Sequence, residues 1–584
     1  MAVPPIPYSL WTLLFLVTLL FTLYVFVNDA KLKRPPPDLV NVRWSKQEVR
    51  ETYERVKKQS LADEGEAVSS SGSMLQGKLP PKTGRRYIVI GGAGFLGGWI
   101  VLHLIQRGED PKRIRVLDIR PPERKDLKEA ALGKVDFIQV DMTDRDAVIA
   151  AFQKPWPTSS IDTILPELTV FHTAATIRFF ERHPALQYLS DRINYEGTKN
   201  IVLAAQQAGA SALVFTSSGS IVVRRNRFWL WPWEREPQFF TQVITDDDAQ
   251  LPKRHEHFFS NYAVSKCKAE RFVRDADRSS SAGGRTVLRT GCIRPGNGIY
   301  GPGGDILVDR LLREKVNPTW VSTFVQSFVY VENCSLAHLC YEQRLIEIER
   351  QQRDASGEKN PDIGGQAFCV TDSGPTPTYG DVYGAVGTLS NGQVICIHLS
   401  LTFMLFIAHL VEWYYLLRHF LLHPSSTTSS SDTPSSAPSR RPSRLRTWLV
   451  MHLLPALSGN IVFLQPSMFA LTCIHLIFDD SRARLPPAKG GLGYAEARTT
   501  LEGVCNTVYQ WQKNGDGDGV DRAIAGHDNP TSPSSSTTNT ETTLSGTTSP
   551  NPGLAFDPTV PEKAVGEIVE KISHGLVDPK RVWN

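Results

Sequence analysis

The sequence has little cysteine and almost no imbalance of charge. Its eight cysteines are scattered along 584 residues, and no two of them are spaced as C-x-x-C. Neither a disulfide framework nor a zinc site is therefore indicated, and the pattern fits a reducing compartment. The formal net charge of +4 is too small to indicate a nucleic-acid-binding surface. We therefore predict no metal site and no nucleic-acid partner for a chain that is long enough to bury a large core.

Charge is also missing from residues 8–27, a run dominated by Leu, Phe, Val and Thr. Such a run is long enough to cross the hydrocarbon core of a bilayer as a helix. Basic residues follow it at residues 31–34, so the positive-inside rule predicts an outer N-terminus and a cytosolic remainder. A cleaved signal peptide is the alternative, but a basic segment before the run is lacking and the run is long. We predict a membrane anchor in residues 1–34 and a linker in residues 35–84.

A short strand followed by glycines organises the rest of the chain. Residues 86–90 are predicted as a strand, and Gly91, Gly94 and Gly97 follow at G-x-x-G-x-x-G spacing before an apolar helix. Small residues let the backbone approach a pyrophosphate, and a helix N-terminus offers free N–H groups. A second strand ends at Asp118, at the distance expected for an acid that binds ribose. An ordinary βα turn is the alternative, but the order of these features favours a dinucleotide site.

Strands and helices alternate beyond this point, which predicts a parallel sheet covered on both faces. The fold class is therefore α/β, with a doubly wound, Rossmann-type sheet in a catalytic domain of residues 85–390. One strand is predicted to end at Asp141, and another runs into Thr173, Ala174 and Ala175. These small residues would let an adenine ring lie against the strand end, although packing against a helix explains the two alanines better when they are taken alone.

A tyrosine and a lysine one helical turn apart are the candidate catalytic pair. Tyr262 and Lys266 share one helix face, and an ammonium beside a phenol favours the phenolate, which is a base of use near neutral pH. Three other Tyr and Lys pairs have the same spacing, so the spacing alone carries no weight. Tyr262 is selected because it follows the strand that ends in the serine-rich residues 217–220.

These segments together resemble the extended short-chain dehydrogenases/reductases, and more narrowly the family of 3β-hydroxysteroid dehydrogenases and sterol-4α-carboxylate 3-dehydrogenases. The resemblance covers residues 87–494 with insertions. The matching segments are residues 89–97, 171–175, 194–200, 216–218, 262–266, 293–295, 298–302, 328–333 and 464–466. The resemblance implies that Tyr262 is the catalytic base and that Lys266 binds the nicotinamide ribose. It also implies that Ser218 is the family's serine and that Asn194 supports the active site.

The cofactor implied by the resemblance is NAD, held along the carboxyl edge of the sheet. Its expected contacts are Gly91, Gly94, Phe95, Leu96, Gly97, Asp118, Asp141, Met142, Thr173, Ala174, Ala175, Tyr262, Lys266 and Pro295. Asp118 can accept hydrogen bonds from both ribose hydroxyls and would repel a 2′-phosphate, so we expect NAD rather than NADP. Arg120 could pair with that phosphate, but an exposed contact of this kind returns only about 1 kcal/mol.

Two features depart from the family pattern or lie outside its motifs. The segment between Ser218 and Tyr262 is long and contains the aromatic residues 228–233, which could cap an apolar substrate or touch a membrane. Local packing of a long loop explains these aromatics equally well. In the last third of the chain, residues 394–411 carry no charge, and a second apolar stretch covers residues 447–478.

We expect residues 391–500 to form a smaller, membrane-associated substrate region. A monotopic patch is favoured over a second span, because a span would separate the motif at residues 464–466 from the catalytic core. The Ser/Thr/Pro-rich residues 424–444 are predicted to be a disordered insert in this region. Residues 501–584 are predicted to be a largely disordered tail with one short helix.

The sequence therefore predicts a membrane-anchored, NAD-dependent dehydrogenase that oxidises the 3β-hydroxyl of a sterol-like substrate, with its catalytic domain on the cytosolic side of the endoplasmic reticulum. A 4α-carboxylate on the substrate would be lost as carbon dioxide after oxidation. A Δ5-3β-hydroxysteroid dehydrogenase/isomerase, a triterpenoid-modifying reductase and a non-catalytic NAD-binding scaffold are the alternatives. Sugar-nucleotide epimerases share the core motifs but need no apolar C-terminal segments. A homodimer or a complex of sterol enzymes is left open.

Overall fold

The computed structural model describes residues 8–34, 43–65, 77–124, 126–128, 134–157, 165–353, 359–423, 450 and 452–514. The insert predicted at residues 424–444 lies outside these residues. The tail beyond residue 514, with its predicted short helix, also lies outside them.

The described strands form one large sheet and three small parallel pairs. The strands are β1 (Arg86–Ile90), β2 (Ile114–Asp118), β3 (Asp136–Gln139), β4 (Leu168–His172), β5 (Ala210–Thr216), β6 (Thr241–Ile244), β7 (Ser279–Ser281), β8 (Thr286–Pro295), β9 (Ile299–Tyr300), β10 (Val316–Thr319), β11 (Val329–Tyr330), β12 (Ala367–Val370), β13 (Ile395–His398) and β14 (His475–Phe478). The large sheet has the order β12-β8-β5-β4-β1-β2-β3, with β7 added antiparallel to β8. The other neighbours in this sheet are parallel.

Helices cover this sheet and build the regions beside it. They are α1 (Tyr8–Leu32), α2 (Lys46–Gly65), α3 (Phe95–Gln106), α4 (Arg145–Gln153), α5 (Gln187–Asp191), α6 (Thr198–Gln207), α7 (Asn261–Asp275), α8 (Val308–Arg313), α9 (Val331–Arg353), α10 (Tyr379–Leu389), α11 (Leu401–Leu422), α12 (Pro466–Thr472), α13 (Ser481–Arg484) and α14 (Thr500–Lys513). Alternate residues of β1 enter different hydrophobic clusters, with Tyr87 and Val89 on one face and Ile88 and Ile90 on the other. Burial on both faces is what a parallel sheet between two helical layers requires.

The strand order confirms the predicted doubly wound Rossmann fold. The chain runs outward from β1 through β2 to β3 and then returns to β4 on the other side of β1. This reversal opens a crevice beyond the carboxyl ends of β1 and β4, where ligands bind in open α/β sheets. The predicted glycines and the Thr173 segment follow these two strands directly.

The described part of the predicted linker is a packed helix instead. Helix α2 places Val49 and Val56 in the core, and Tyr53 Oη donates to Gln512 Oε1 at 2.6 Å on α14. Helix α14 in turn occupies the start of the segment predicted as a disordered tail. The reason is the same at both places, since each helix has one apolar face, and α2, α14 and α10 pack together to cover these faces.

The uncharged run at residues 394–411 is divided between two elements. Residues 395–398 form β13, which pairs with β10, and the remainder begins α11. Helices α1 and α11 are, within the described residues, long and apolar enough to cross a membrane by length and composition. Helix α1 is exposed along the apolar part of its length, whereas α11 is partly buried against the domain.

Candidate active site

A cleft of about 560 Å³ runs along the carboxyl edge of the sheet. Its walls contain every residue predicted to hold the cofactor, together with Ser218. Asn194 is the one predicted site residue that lies behind the wall rather than in it. The structure therefore brings together side chains from β1 to β8 that are far apart in the sequence.

The glycine turn is shaped to leave space above the N-terminus of α3. Gly91 has a φ of +79°, and a Cβ there would come within 2.8 Å of Ala174 N and Thr173 Oγ1. A Cβ on Gly97 would overlap the carbonyl oxygen of Gly91. Gly94 begins the helix without a side-chain cap, so the first N–H groups of α3 face the cleft. This cradle fits a pyrophosphate, which such groups bind well.

Asp118 lies at the end of β2 and borders the same turn. Its Oδ2 accepts a hydrogen bond from Ala93 N at 3.1 Å, and its Oδ1 accepts one from Arg120 N at 3.3 Å. Burial raises the pKa of this carboxyl, while the backbone hydrogen bonds oppose the rise. Both Asp118 and Arg120 line the cleft. The acid thus holds the glycine turn and is also placed to meet a ligand.

The opposite wall is formed by the segments that follow β3 and β4. Thr173 Oγ1 donates to Ile90 O at 2.8 Å and so fastens the end of β4 to the end of β1. Ala174 lines the cleft and also packs against the core, so its position is compatible with either explanation of the alanines. Asp141 Oδ1 accepts a hydrogen bond from Thr143 N at 2.8 Å, and the buried Met142 fills the space beside it.

Helix α7 carries the predicted catalytic pair. Ser260 caps the helix by accepting a hydrogen bond from Ala263 N at 3.3 Å. Lys266 is only 2% exposed, its Nζ donates to Thr216 O at 2.6 Å, and it lies 4.3 Å from the centre of the Phe215 ring. Burial lowers the pKa of this lysine to about 7.

The pKa of Tyr262 differs from the sequence-based expectation. Burial raises it to about 12, and a hydrogen bond with Ser218 lowers it only in part. Lys266 was expected to favour the phenolate, but its ammonium is bound to the Thr216 carbonyl and burial has the larger effect. Tyr262 therefore keeps its proton at neutral pH in this structure.

The serines that follow β5 differ in the contacts that they make. Ser218 Oγ lies 2.7 Å from Ser220 Oγ and accepts a hydrogen bond from Ser220 N at 3.3 Å. Ser217 N instead donates to Ile293 O at 2.8 Å, and Ser217 Oγ is buried without a partner among the described residues. Ser218 is thus the serine that contacts Tyr262, as the resemblance implied.

Asn194 holds two parts of the site together from behind. It belongs to a π-helical turn (Arg192–Gly197), and its Oδ1 accepts a hydrogen bond from Thr176 N at 2.8 Å. Its Nδ2 donates to Thr176 O at 3.0 Å and to Ser265 Oγ at 2.9 Å. The residue links the loop after β4 to the helix that carries Tyr262.

The rest of the cleft is largely apolar and was not predicted residue by residue. Its apolar lining includes Phe179, Leu307, Leu311, Trp320, Val321, Phe328, Tyr379, Tyr383, Met468 and Leu471. Only Phe328, Met468 and Leu471 had a signal in the sequence, because Phe328 begins the motif at residues 328–333 and α12 follows the motif at residues 464–466. The remaining side chains come from segments without a motif, and tertiary structure alone brings them here.

A glycine cradle over a helix N-terminus, an acid at the end of β2 and a Ser–Tyr–Lys set in one cleft define a Rossmann-fold oxidoreductase. Residues 88–388 match the model of the 3-beta hydroxysteroid dehydrogenase/isomerase family, and the chain belongs to this family. It is accordingly an oxidoreductase that acts on CH–OH groups and uses a nicotinamide dinucleotide.

Three relatives illustrate the similarity. The chain is 30% identical over 300 residues to sterol-4-alpha-carboxylate 3-dehydrogenase ERG26, decarboxylating, of Candida albicans. The aligned region covers 50% of this chain and 71% of that protein. It is 29% identical over 301 residues to human 3 beta-hydroxysteroid dehydrogenase type 7, covering 50% and 70%. It is 27% identical over 310 residues to 3beta-hydroxysteroid-dehydrogenase/decarboxylase isoform 2 of Arabidopsis thaliana, covering 50% of this chain but 46% of that protein.

Solved structures give a more distant match. The NAD-bound UDP-glucose-4-epimerase of Stenotrophomonas maltophila is 15% identical, with a TM-score of 0.44, over 74% of this chain and 99% of that one.

Proposed function

We propose that the protein oxidises the 3β-hydroxyl of a sterol or steroid-like substrate to the 3-ketone with NAD. The observation that carries this proposal is the division of one cleft into a nucleotide cradle, a Ser–Tyr–Lys set and a largely apolar remainder. The aromatic walls of this apolar remainder suit a rigid polycyclic hydrocarbon. The names of the relatives support a substrate with a C4 carboxylate, whose β-keto acid product would then lose carbon dioxide.

NAD is the form of the cofactor that the cleft favours. The turn of Gly91, Gly94 and Gly97 would hold the pyrophosphate, and Asp118 would accept hydrogen bonds from the ribose hydroxyls. A 2′-phosphate would meet the negative charge of Asp118 in a half-buried position, which disfavours NADP. When bound, NAD supplies the acceptor for the hydride that leaves C3.

The chain's own residues would handle the proton. Tyr262 Oη accepts the proton of the substrate hydroxyl, and Ser218 Oγ donates a hydrogen bond to the same oxygen. Lys266, held at the Thr216 carbonyl, would orient the nicotinamide ribose. Because the pKa of Tyr262 is about 12, its proton must leave before oxidation, whereas the protonated phenol is ready to act as an acid in the reverse reduction.

Tyr262→Phe tests this assignment of the base. The substitution removes only the phenolic oxygen, so turnover should be lost while NAD still binds. Tyr195→Phe is the matched control, since Tyr195 has a lysine at the same spacing but lies outside the cleft lining. Near-normal kcat in the Tyr262 variant would remove this residue from the mechanism.

We also propose attachment to the endoplasmic reticulum membrane, with the catalytic domain in the cytosol. The cytosolic end of α1 is docked on the domain rather than tethered loosely. Asn28 Nδ2 donates to Phe228 O at 3.0 Å and to Thr402 Oγ1 at 2.9 Å. Lys31 Nζ donates to the carbonyl oxygens of Pro232 and Glu234, at 2.9 Å and 2.6 Å. The basic end of the anchor is thereby hydrogen-bonded to residues 228–234, which we call the aromatic loop.

The aromatic loop and α11 continue the apolar surface of the anchor. Trp231 and Trp233 are stacked with ring centres 5.3 Å apart and are 57% and 75% exposed. Leu410 and Trp413 of α11 are also exposed, and Phe406 contacts Phe21 of α1 edge-on at 5.3 Å. Tryptophan is enriched where a membrane meets water. These exposed side chains support a monotopic patch beside the anchor.

A further inference from the structure

The apolar part of the cleft contains two ionisable groups, the carboxyl of Asp305 and the guanidinium of Arg310. Asp305 accepts hydrogen bonds from Leu307 N and Val308 N, both at 2.6 Å, and from Gly301 N and Asp309 N, both at 3.2 Å. Burial raises its pKa to about 7. This carboxyl is therefore occupied in holding the start of α8.

Arg310 has no comparable partner among the described residues. No hydrogen bond or ion pair of its guanidinium occurs there, and its Nε is buried without an acceptor. Of the neighbouring acids, Asp309 is paired with Arg313 at 2.6 Å, and Glu314 attracts the charge of Arg310 without forming an ion pair with it. Burial lowers the pKa of Arg310 to about 10, which leaves the group charged at neutral pH.

An unpaired, half-buried charge in an apolar wall is costly, and such charges are normally paired. Leu311 and Trp320 line the same wall and are buried, and Nε of Arg310 is buried as well, so this side of the guanidinium is poorly solvated. The same surroundings would strengthen the attraction to an anion that enters with a ligand. A planar guanidinium matches a carboxylate through two parallel hydrogen bonds.

We propose that Arg310 binds a carboxylate on the substrate, so that the enzyme prefers a sterol acid to the corresponding neutral sterol. This assignment rests on the proposed dehydrogenation of a sterol and adds the residue that selects the acid. One guanidinium neutralises one negative charge, which suits a monocarboxylate better than a doubly charged phosphate ester. Arg310 is thus assigned to specificity, while Ser218, Tyr262 and Lys266 are assigned to the chemistry.

The test compares two substrates in four proteins. The substrates are a 4α-carboxysterol and the matched 4α-methylsterol, and the proteins are the full-length wild type, Arg310→Gln, Arg310→Lys and the control Arg313→Gln. Truncating one partner of a buried charge pair costs enough to lower kcat/KM for the acid by about 30-fold or more in Arg310→Gln. Turnover of the neutral sterol should stay within about threefold. Arg310→Lys should give an intermediate loss, and Arg313→Gln should change neither substrate.

A second measurement separates specificity from a structural role. Removing an unpaired buried charge should leave the thermal midpoint of the ligand-free Arg310→Gln variant equal to or above that of the wild type. A lower midpoint, or equal losses on both sterols, would overturn the proposal. A wild type that prefers the neutral sterol would also overturn it while leaving the dehydrogenase assignment intact. A wild type that oxidises neither sterol would overturn both.

Discussion

Replacing Asn194 by alanine should uncouple the loop after β4 from the helix that carries Tyr262. The Asn194 amide makes two hydrogen bonds to the Thr176 backbone and one to Ser265 Oγ. Ser265 Oγ in turn donates to Tyr262 O at 2.8 Å. Asn194 is 1% exposed, so water does not readily replace the lost groups. The substitution therefore acts on Tyr262 indirectly, through Ser265 and the Thr176 loop, without removing a side chain that lines the cleft.

The size of the effect follows from the groups left without partners. A buried N–H or C=O that loses its hydrogen bond costs about 1–3 kcal/mol, and Thr176 would present one of each. We expect a loss of about 2–4 kcal/mol in the free energy of unfolding. A displacement of about 1 Å in a catalytic group lowers turnover by about 100-fold, so kcat should fall by about 10- to 100-fold. The KM for NAD should change little, because the glycine turn is untouched.

Asn226→Ala is the matched control for this experiment. Asn226 Nδ2 donates to the carbonyl oxygens of Gln238 and Phe239, at 2.8 Å and 2.9 Å, in a loop away from α7. Steady-state kinetics and denaturant unfolding of both variants give the comparison. A kcat of Asn194→Ala within threefold of the wild type would refute the positioning role, even if stability falls.

Three further predictions concern pH, cofactor choice and membrane attachment. Because burial raises the pKa of Tyr262 to about 12, the small fraction of the base form grows with pH, so kcat/KM for oxidation should rise from pH 7 to 9. The value for reduction should stay flat over this range, because Tyr262 remains protonated. A flat profile for oxidation would argue against Tyr262 as the proton acceptor. Asp118→Ser should shift the kcat/KM ratio toward NADP by leaving Arg120 unopposed, and a wild type that already prefers NADP would contradict the position of Asp118 at the ribose. Deleting residues 1–34 should leave part of the protein on membranes through α11 and the aromatic loop, and complete release of active protein without detergent would contradict the monotopic patch.

The cofactor half of the site could be predicted because its signals are local. The strand predicted at residues 86–90 coincides with β1, and the glycines that follow it need only that strand and α3 to make a cradle. Asp118 and Tyr262 are likewise tied to the end of a strand and the start of a helix. Such short-range relations are readable in one sequence without knowledge of the rest of the fold.

The substrate half could not be predicted because its members meet only in three dimensions. Arg310, Trp320 and Tyr383 come from segments without a motif. The helix α2 was missed because charged residues surround its few apolar ones, and its partner α14 lies at the other end of the chain. The pKa of Tyr262 was also beyond reach, since burial sets it rather than the neighbouring lysine.

The most direct test is to incubate the detergent-solubilised, full-length protein with NAD and matched 3β-hydroxysterols, with and without a 4α-carboxylate. Absorbance at the NADH band and mass spectrometry of the sterols are followed together. We predict one 3-ketone formed per NADH, with loss of carbon dioxide from the carboxylated substrate. NAD binding without any 3-ketone from either sterol would contradict it.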